Sequence, residues 1–361
     1  MRHGFQVLDG CRQVVEPASV WTEWLDADAR PDVSVGSGPL DLQVRGRPIT
    51  RGIPDYFGDP AYMAAFRTAF EERFSVASNL RDMDAEGVDL ALLLPTAGLY
   101  APWAEHIGPD LAAALCRAYN NWLADQLRHG SDRLRGVALL PLQDVDLSVA
   151  EPRRAVRELH LSAGFLLPNP MLGRRIHHAY YDPLYREAEQ LGVPLLVSQL
   201  PGLVLPQFGQ GRYESFFALK ALAEPFEGWL AAGSLVAQRC LERFPQLKVG
   251  FVGLGSGWLL FWLDRLDEHW GGPFGTDAPG VLPQIFRQQC FAACAPWERT
   301  VPDTLQECGP TSVVWSSHYP LPELASLFPN EVDGIARSSE LSVDQRRAVL
   351  WDTAANLLHI H

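Results

Sequence analysis

The sequence predicts an α/β protein: a (β/α)8 barrel (TIM barrel) with lid insertions. Three observations predict it. Short, wholly apolar runs recur along the chain, and helical stretches with start and stop signals separate them. Strands that are apolar on both faces need a sheet covered on both sides, which repeated strand–helix units provide as parallel strands. Eight such runs can be counted, enough to close a barrel. The 361 residues are 47% hydrophobic and 20% charged, a balance that supports a core and argues against disorder. One domain over 1–361 is expected.

The first strand is read at Phe5–Leu8. The insert 16–81 is expected to form a lid, ending in a helical stretch stopped by Gly87. Leu90–Leu94 is a strand ended by Pro95. Asp110 opens a helix whose apolar face is Leu111, Leu115, Tyr119, Trp122, Leu123 and Leu127, closed by Gly130. Strands follow at Leu134–Leu142 and Gly164–Leu167. Asp182-Pro183 is a helix start, a carboxylate at the cap and then a proline where no N–H is needed, and Gly192 is the stop. Pro194–Val197 is the fifth strand, and the loop 200–213 is expected to be a second lid. A helix around Ala231–Phe244 leads to the strand Lys248–Val252, followed by strands at Gln289–Ala293 and Val313–Ser316. Ser342 and Gln345 form a capping box for a C-terminal helix packing Val349, Leu350, Ala354 and Leu358. An open doubly wound sheet fits less well, because no glycine-rich phosphate loop follows the first strand. The glycines of 253–257 come late and read as a tight turn.

Thirty basic against 43 acidic residues give a net charge of −13. Such a chain has no general attraction to phosphate backbones or anionic lipid, so neither nucleic acid nor membrane is expected as a partner. Lys220 and Lys248 are the only lysines, a bias read as the codon usage of a GC-rich genome. No basic start with an apolar run behind it stands at the N-terminus, so no signal peptide is expected. The six cysteines form no CxxC pair and read as reduced thiols, consistent with a cytoplasmic protein. Apolar stretches at 258–263 and 350–358 exceed what one barrel is expected to cover, which suggests a homodimer.

Several motifs resemble the amidohydrolase-related branch of the metal-dependent hydrolases, the branch of the aminocarboxymuconate-semialdehyde and resorcylate decarboxylases. They are Val14-Val15-Glu16-Pro17 with Trp21, Tyr119-Asn120-Asn121-Trp122, Phe244-Pro245-Gln246-Leu247-Lys248-Val249, Gly257-Trp258, Arg265-Leu266-Asp267 and Trp315-Ser316-Ser317-His318-Tyr319-Pro320. The resemblance spans nearly the whole chain in order. It implies a (β/α)8 barrel with a divalent metal, usually zinc or manganese, at the C-terminal face.

The ligand positions that the resemblance implies are all substituted. Where the family has His-x-His or Asp-x-His at the first strand, this chain has Cys11 and Gln13. The histidine after the fifth strand is Ser198, the His or Glu after the sixth is Gly253, and the aspartate after the eighth is His318. The histidine that often follows that aspartate is Leu321. A divalent ion needs about three imidazole or anionic ligands, so no metal and no other cofactor are expected.

His318 and Cys11 replace positions that touch one ion in the family, so they are expected to lie close together. His318 reads either as a general acid or base or as a filler of the vacated site. Cys11 reads either as a nucleophile paired with it or as a small buried residue. Asp9, just before the ligand pair, can orient a donor or act as a base. Glu16 reads as structural. Gln13, Gln143, Asn169, Ser198, Gln199 and Ser317 stand at strand ends and suit binding of a polar substrate, and of His177-His178 one is expected to face the pocket. The combined expectation is a metal-independent enzyme of specialised metabolism. It moves protons on a small aromatic or polyketide-like molecule in a cyclisation, dehydration, isomerisation or decarboxylation. A non-catalytic binding protein and a metal-dependent hydrolase or decarboxylase with surrogate ligands are the alternatives.

Overall fold

The computed structural model describes residues 1–36, 41–50, 59–128, 130–198, 208–209, 211–213, 215–271, 275, 278, 280–320 and 327–360. Eight parallel strands run in chain order: β1 Leu8–Gln13, β2 Leu90–Leu94, β3 Leu134–Leu139, β4 Ala163–Leu166, β5 Leu195–Val197, β6 Val249–Phe251, β7 Cys290–Cys294 and β8 Val313–Trp315. Each pairs with the next. Apart from the partly exposed Arg135 of β3, every residue of these strands is buried, as a sheet wrapped by helices requires.

Close approach of β8 to β1 turns the sheet into a barrel. A Cβ on Gly10 would lie 3.0 Å from Val314 Cγ2 and 3.2 Å from the Trp315 carbonyl, so glycine is what lets the edges meet. Beyond the strands, the His318 amide donates to the Cys11 carbonyl (3.0 Å) and the Gln13 amide to the Tyr319 carbonyl (2.7 Å).

All eight expected strands are present, and one is displaced. The first is Leu8–Gln13, not Phe5–Leu8. Asp9, Arg12 and Gln13 interrupt an apolar strand pattern, yet all three are buried and Asp9 and Arg12 have polar partners inside the protein. The helix expected around Ala231–Phe244 instead runs Phe216–Val236. Asp182 is the first residue of its helix rather than the cap, and its carboxylate accepts from Arg243 at 2.7 Å. Gly87 and Gly192 close their helices at φ +80° and +68°, where a side chain would be strained. Both bonds of the Ser342–Gln345 capping box form.

Segment 16–81 contains a three-stranded antiparallel sheet (Val33–Val35, Leu42–Val44, Arg47–Pro48) and the helix Pro60–Glu71. Tyr62, Phe66 and Ala69 of that helix pack on Val15 and Tyr319, which lie at the exits of β1 and β8. Phe66 meets the Tyr319 ring edge-on at 5.3 Å. Most of the loop 200–213 lies outside the described residues. In the helix Trp258–Trp270, Leu259, Trp262, Leu263 and Leu266 are buried while Phe261 is exposed. No helix among the described residues is long and apolar enough to cross a membrane.

Candidate active site

The C-terminal ends of the strands converge on a polar mouth. Ser198 follows β5, Gly253 follows β6 and His318 follows β8. The three meet: a Cβ built on Gly253 would lie 2.9 Å from Ser198 Oγ and 3.7 Å from His318 Cε1. Gly253 is also left-handed, at φ +74°, so a side chain there would meet both strain and Ser198. Cys11 and Gln13 complete the group from β1 through their backbone bonds to His318 and Tyr319. The expected proximity of Cys11 and His318 therefore holds at the backbone. Both Cys11 and Gln13 are buried, and the Thr96 hydroxyl approaches Gln13 Oε1 at 3.5 Å.

His318 itself is non-glycine and left-handed, at φ +61°. Trp297, exposed at the exit of β7, holds its ring centroid 6.4 Å from the imidazole. Trp297 had no signal in the sequence beyond its place just after a predicted strand.

The other sequence-derived candidates divide. Asp9 is fully buried and its oxygens bind the seam. Oδ1 accepts from the Ser317 amide (2.9 Å) and the Cys11 amide (3.1 Å), and Oδ2 accepts from the Ser317 hydroxyl (2.5 Å). Burial pushes its carboxyl above the ordinary range, against the pull of Arg12 and Ser317. Ser317 is committed to the same seam, since its hydroxyl also accepts from the Tyr319 amide at 2.9 Å. Gln143 donates to the Pro102 carbonyl (2.5 Å) and accepts from the Leu142 amide (3.1 Å), so its amide holds a loop. Asn169 is buried after β4. His178 is exposed and caps the turn Ala179–Tyr181 by accepting from the Tyr180 amide, so it does not face the mouth. His177 lines a separate outer groove of about 530 Å³ with Trp229, Trp262 and His269. Its pKa is lowered by burial and by the neighbouring Arg175, His178 and Arg243. Gln199 lies outside the described residues.

The motif residues outside the mouth are scaffold. Glu16 accepts from the amides of Thr96, Ala97 and Gly98 at 2.9–3.2 Å and so caps the turn after β2. Burial raises its carboxyl to about 7, with those amides pulling it back down. Asn120 clamps Leu139 of β3 through both backbone groups (3.0 and 2.8 Å). In the turn after β6, the Ser256 amide and hydroxyl are both held by Glu298 (2.8–3.0 Å), so a carboxylate already stands where a phosphate loop would bind its anion.

A family model described as Amidohydrolase matches residues 55–360. The chain belongs to the amidohydrolase family. Among curated relatives of this amidohydrolase, a gamma-resorcylate decarboxylase of Polaromonas sp. (strain JS666 / ATCC BAA-500) is 23% identical over 308 residues, covering 78% of this chain and 86% of that protein. A 2-amino-3-carboxymuconate-6-semialdehyde decarboxylase of Dictyostelium discoideum is 25% identical over 190 residues, 53% of this chain and 50% of the relative. The crystal structure of 5-carboxyvanillate decarboxylase from Sphingomonas paucimobilis superposes with a TM-score of 0.71 at 19% identity, covering 99% of this chain and 100% of that one. A dihydroxybenzoic acid decarboxylase from Polaromonas sp. JS666, solved with bound manganese and 2-nitroresorcinol, gives 0.70 at 20% identity over 99% and 97% of the two chains. These likenesses bear on the fold.

The donor set of this amidohydrolase does not fit such a metal. The five described positions of the resemblance offer one thiol and one imidazole; the rest are an amide, a hydroxyl and a glycine, and the sixth, Leu321, lies outside the described residues. Among the described residues no group of three His, Cys, Asp or Glu side chains is placed to hold an ion.

Proposed function

We propose that this amidohydrolase is a lyase that decarboxylates a small hydroxylated aromatic acid without a bound metal, with His318 as the proton carrier. The observation that carries the reading is the meeting of His318, Ser198 and Gly253 at the barrel mouth, where ligand positions have become one titratable group and two small residues. Decarboxylation is favoured over cyclisation, dehydration and isomerisation because the relatives bear decarboxylase names. The helix Pro60–Glu71, packed on Val15 and Tyr319 at the exits of β1 and β8, shields the mouth in this reading.

The chemistry needs one proton placed on one carbon. The His318 imidazolium donates its proton to the ring carbon that bears the carboxylate. A ring hydroxyl supplies electron density to that carbon's neighbours and stabilises the charge. The C–C bond then breaks, its electron pair returns to the ring, and carbon dioxide leaves. His318 is left neutral and regains a proton from water. Ser198 and Gln13 orient the substrate's polar groups, and Trp297 offers its face to the aromatic ring.

The test is turnover of a panel of mono- and dihydroxybenzoates, read as carbon dioxide and arene released, alongside elemental analysis of the same preparation. Expected are turnover of at least one acid with well under one metal ion per chain, insensitivity to chelators, and one solvent deuteron at the vacated carbon in heavy water. Stoichiometric zinc or manganese with activity lost on chelation overturns the metal-free reading. Tight binding of these acids with no turnover identifies a binding protein instead.

A further inference from the structure

His318 reaches the mouth with a left-handed backbone, at φ +61°, a conformation unfavourable for a non-glycine residue unless its surroundings impose it. Both sequence neighbours of His318 are clamped. On one side, Ser317 is tied by its amide and hydroxyl to Asp9. On the other, the Tyr319 hydroxyl donates to Asp82 at 2.6 Å, and the Tyr319 ring lies 3.6 Å from the Arg12 guanidinium carbon.

Arg12 touches both clamps. It is fully buried, with Nη1 3.7 Å from Asp9 Oδ2. The same nitrogen donates to Glu86 at 2.7 Å, and Nε donates to Asn79 at 3.0 Å, anchoring the group on the helix Val76–Glu86. A buried arginine is costly unless paired, and here three polar partners and an aromatic face surround it. Nothing in that arrangement requires the mouth to be nearby, yet Arg12 bears on Asp9, which holds Ser317, and on Tyr319, and Ser317 and Tyr319 flank His318.

We propose that Arg12 is a positioning residue for His318: its guanidinium, bearing on Asp9 and on the Tyr319 ring together, fixes the backbone turn that points the imidazole into the mouth. The proposal rests on the reading of His318 as proton carrier. Arg12 touches no substrate and acts from beneath the site. Lysine cannot replace it, because an ammonium is a point charge that can neither stack on Tyr319 nor donate from two edges of a plane.

The test is a double-mutant cycle of Arg12→Lys with His318→Ala, with kcat and KM measured on a turned-over acid and corrected for folded protein. In the wild-type background Arg12→Lys is expected to lower kcat about 10- to 100-fold, the scale of a misplaced catalytic group, with KM within about threefold. In the His318→Ala background it should cost nothing further. Equal losses in both backgrounds, or no loss beside an intact His318, overturn the proposal. Tyr319→Leu removes the ring and leaves Arg12 in place. It should show the same dependence on His318, and it decides the matter if Arg12→Lys does not fold. A crystal structure of either variant gives a readout free of activity: His318 should leave the left-handed region, and an unchanged φ overturns the proposal. If His318→Ala alone keeps full activity, the functional reading fails while the crystal structure still judges Arg12.

Discussion

Ser317 and His318 are consecutive on the exit of β8 and have opposite surroundings. Ser317 is wholly buried, with amide and hydroxyl both on Asp9 and the hydroxyl also holding Tyr319. His318 turns away from that seam toward Ser198, Gly253 and Trp297. On β1, Asp9 and Arg12 serve the scaffold through their side chains, while Cys11 and Gln13 meet the exit of β8 through backbone bonds. The difference teaches that a polar residue at a strand end is not thereby a site residue. Where its polar atoms meet backbone amides and buried partners, it holds the barrel together. Where it converges with other side chains at the rim, it is a candidate for ligand contact.

The largest effect should come from crossing that division at His318. His318→Ala removes the proposed proton carrier and leaves the Ser317–Asp9 seam intact. Turnover is expected to fall roughly 10²–10⁴-fold, the range for losing a general acid or base, with the unfolding midpoint little changed. Steady-state kinetics with a urea melt on the same protein checks it. Full activity would move the chemistry off His318 altogether.

This division was only half legible in the sequence. The barrel was legible because apolar runs, helix stops at Gly87 and Gly192 and the Ser342–Gln345 box are local signals, and local signals survive folding. The meeting of Cys11, Ser198, Gly253 and His318 was legible only through resemblance, since these residues are far apart in the chain. Asp9, Gln143, His178 and Ser317 looked like ligand contacts because their residue types are those of sites. Their partners lie within the fold: the amide and hydroxyl of Ser317 for Asp9, the Pro102 carbonyl for Gln143, the Tyr180 amide for His178. No spacing rule discloses such pairings. Arg12 carried no signal, since its partners come from two distant segments, Asn79 and Glu86 from the helix Val76–Glu86 and Tyr319 from the exit of β8.

A pH titration should separate the two regions next. The buried scaffold carboxyls Asp9, Glu16 and Glu86 are all raised by burial. A raised carboxyl favours the folded state while protonated, so its contribution is fully present below the unfolded value and is lost as pH rises through the folded one. For Glu16 that window runs from 4.5 to about 7, a loss of about 3 kcal/mol if the group acts alone. The urea midpoint should therefore fall as pH is raised across this window, and Glu16→Gln should flatten the fall. A midpoint that rises with pH would mean that the amides around Glu16 outweigh its burial.

The smallest effect should come from Ser317→Ala, and it bears most directly on the contrast with His318. The change removes the hydroxyl that donates to Asp9 and accepts from Tyr319, and leaves the Ser317 amide on Asp9. Partly stranding a buried carboxylate costs about 1–3 kcal/mol. The urea midpoint should drop accordingly. Turnover per folded molecule should fall by less than about tenfold, because Arg12 still bears on Tyr319 and the His318 amide still binds Cys11, so the catalytic group stays close to its geometry. The reverse result, unchanged stability with a hundredfold loss of turnover, would place Ser317 in contact with substrate. The two neighbours on β8 would then belong to one site, and the scaffold would begin one residue earlier, at Ser316, whose hydroxyl donates to the Cys294 carbonyl at 3.0 Å.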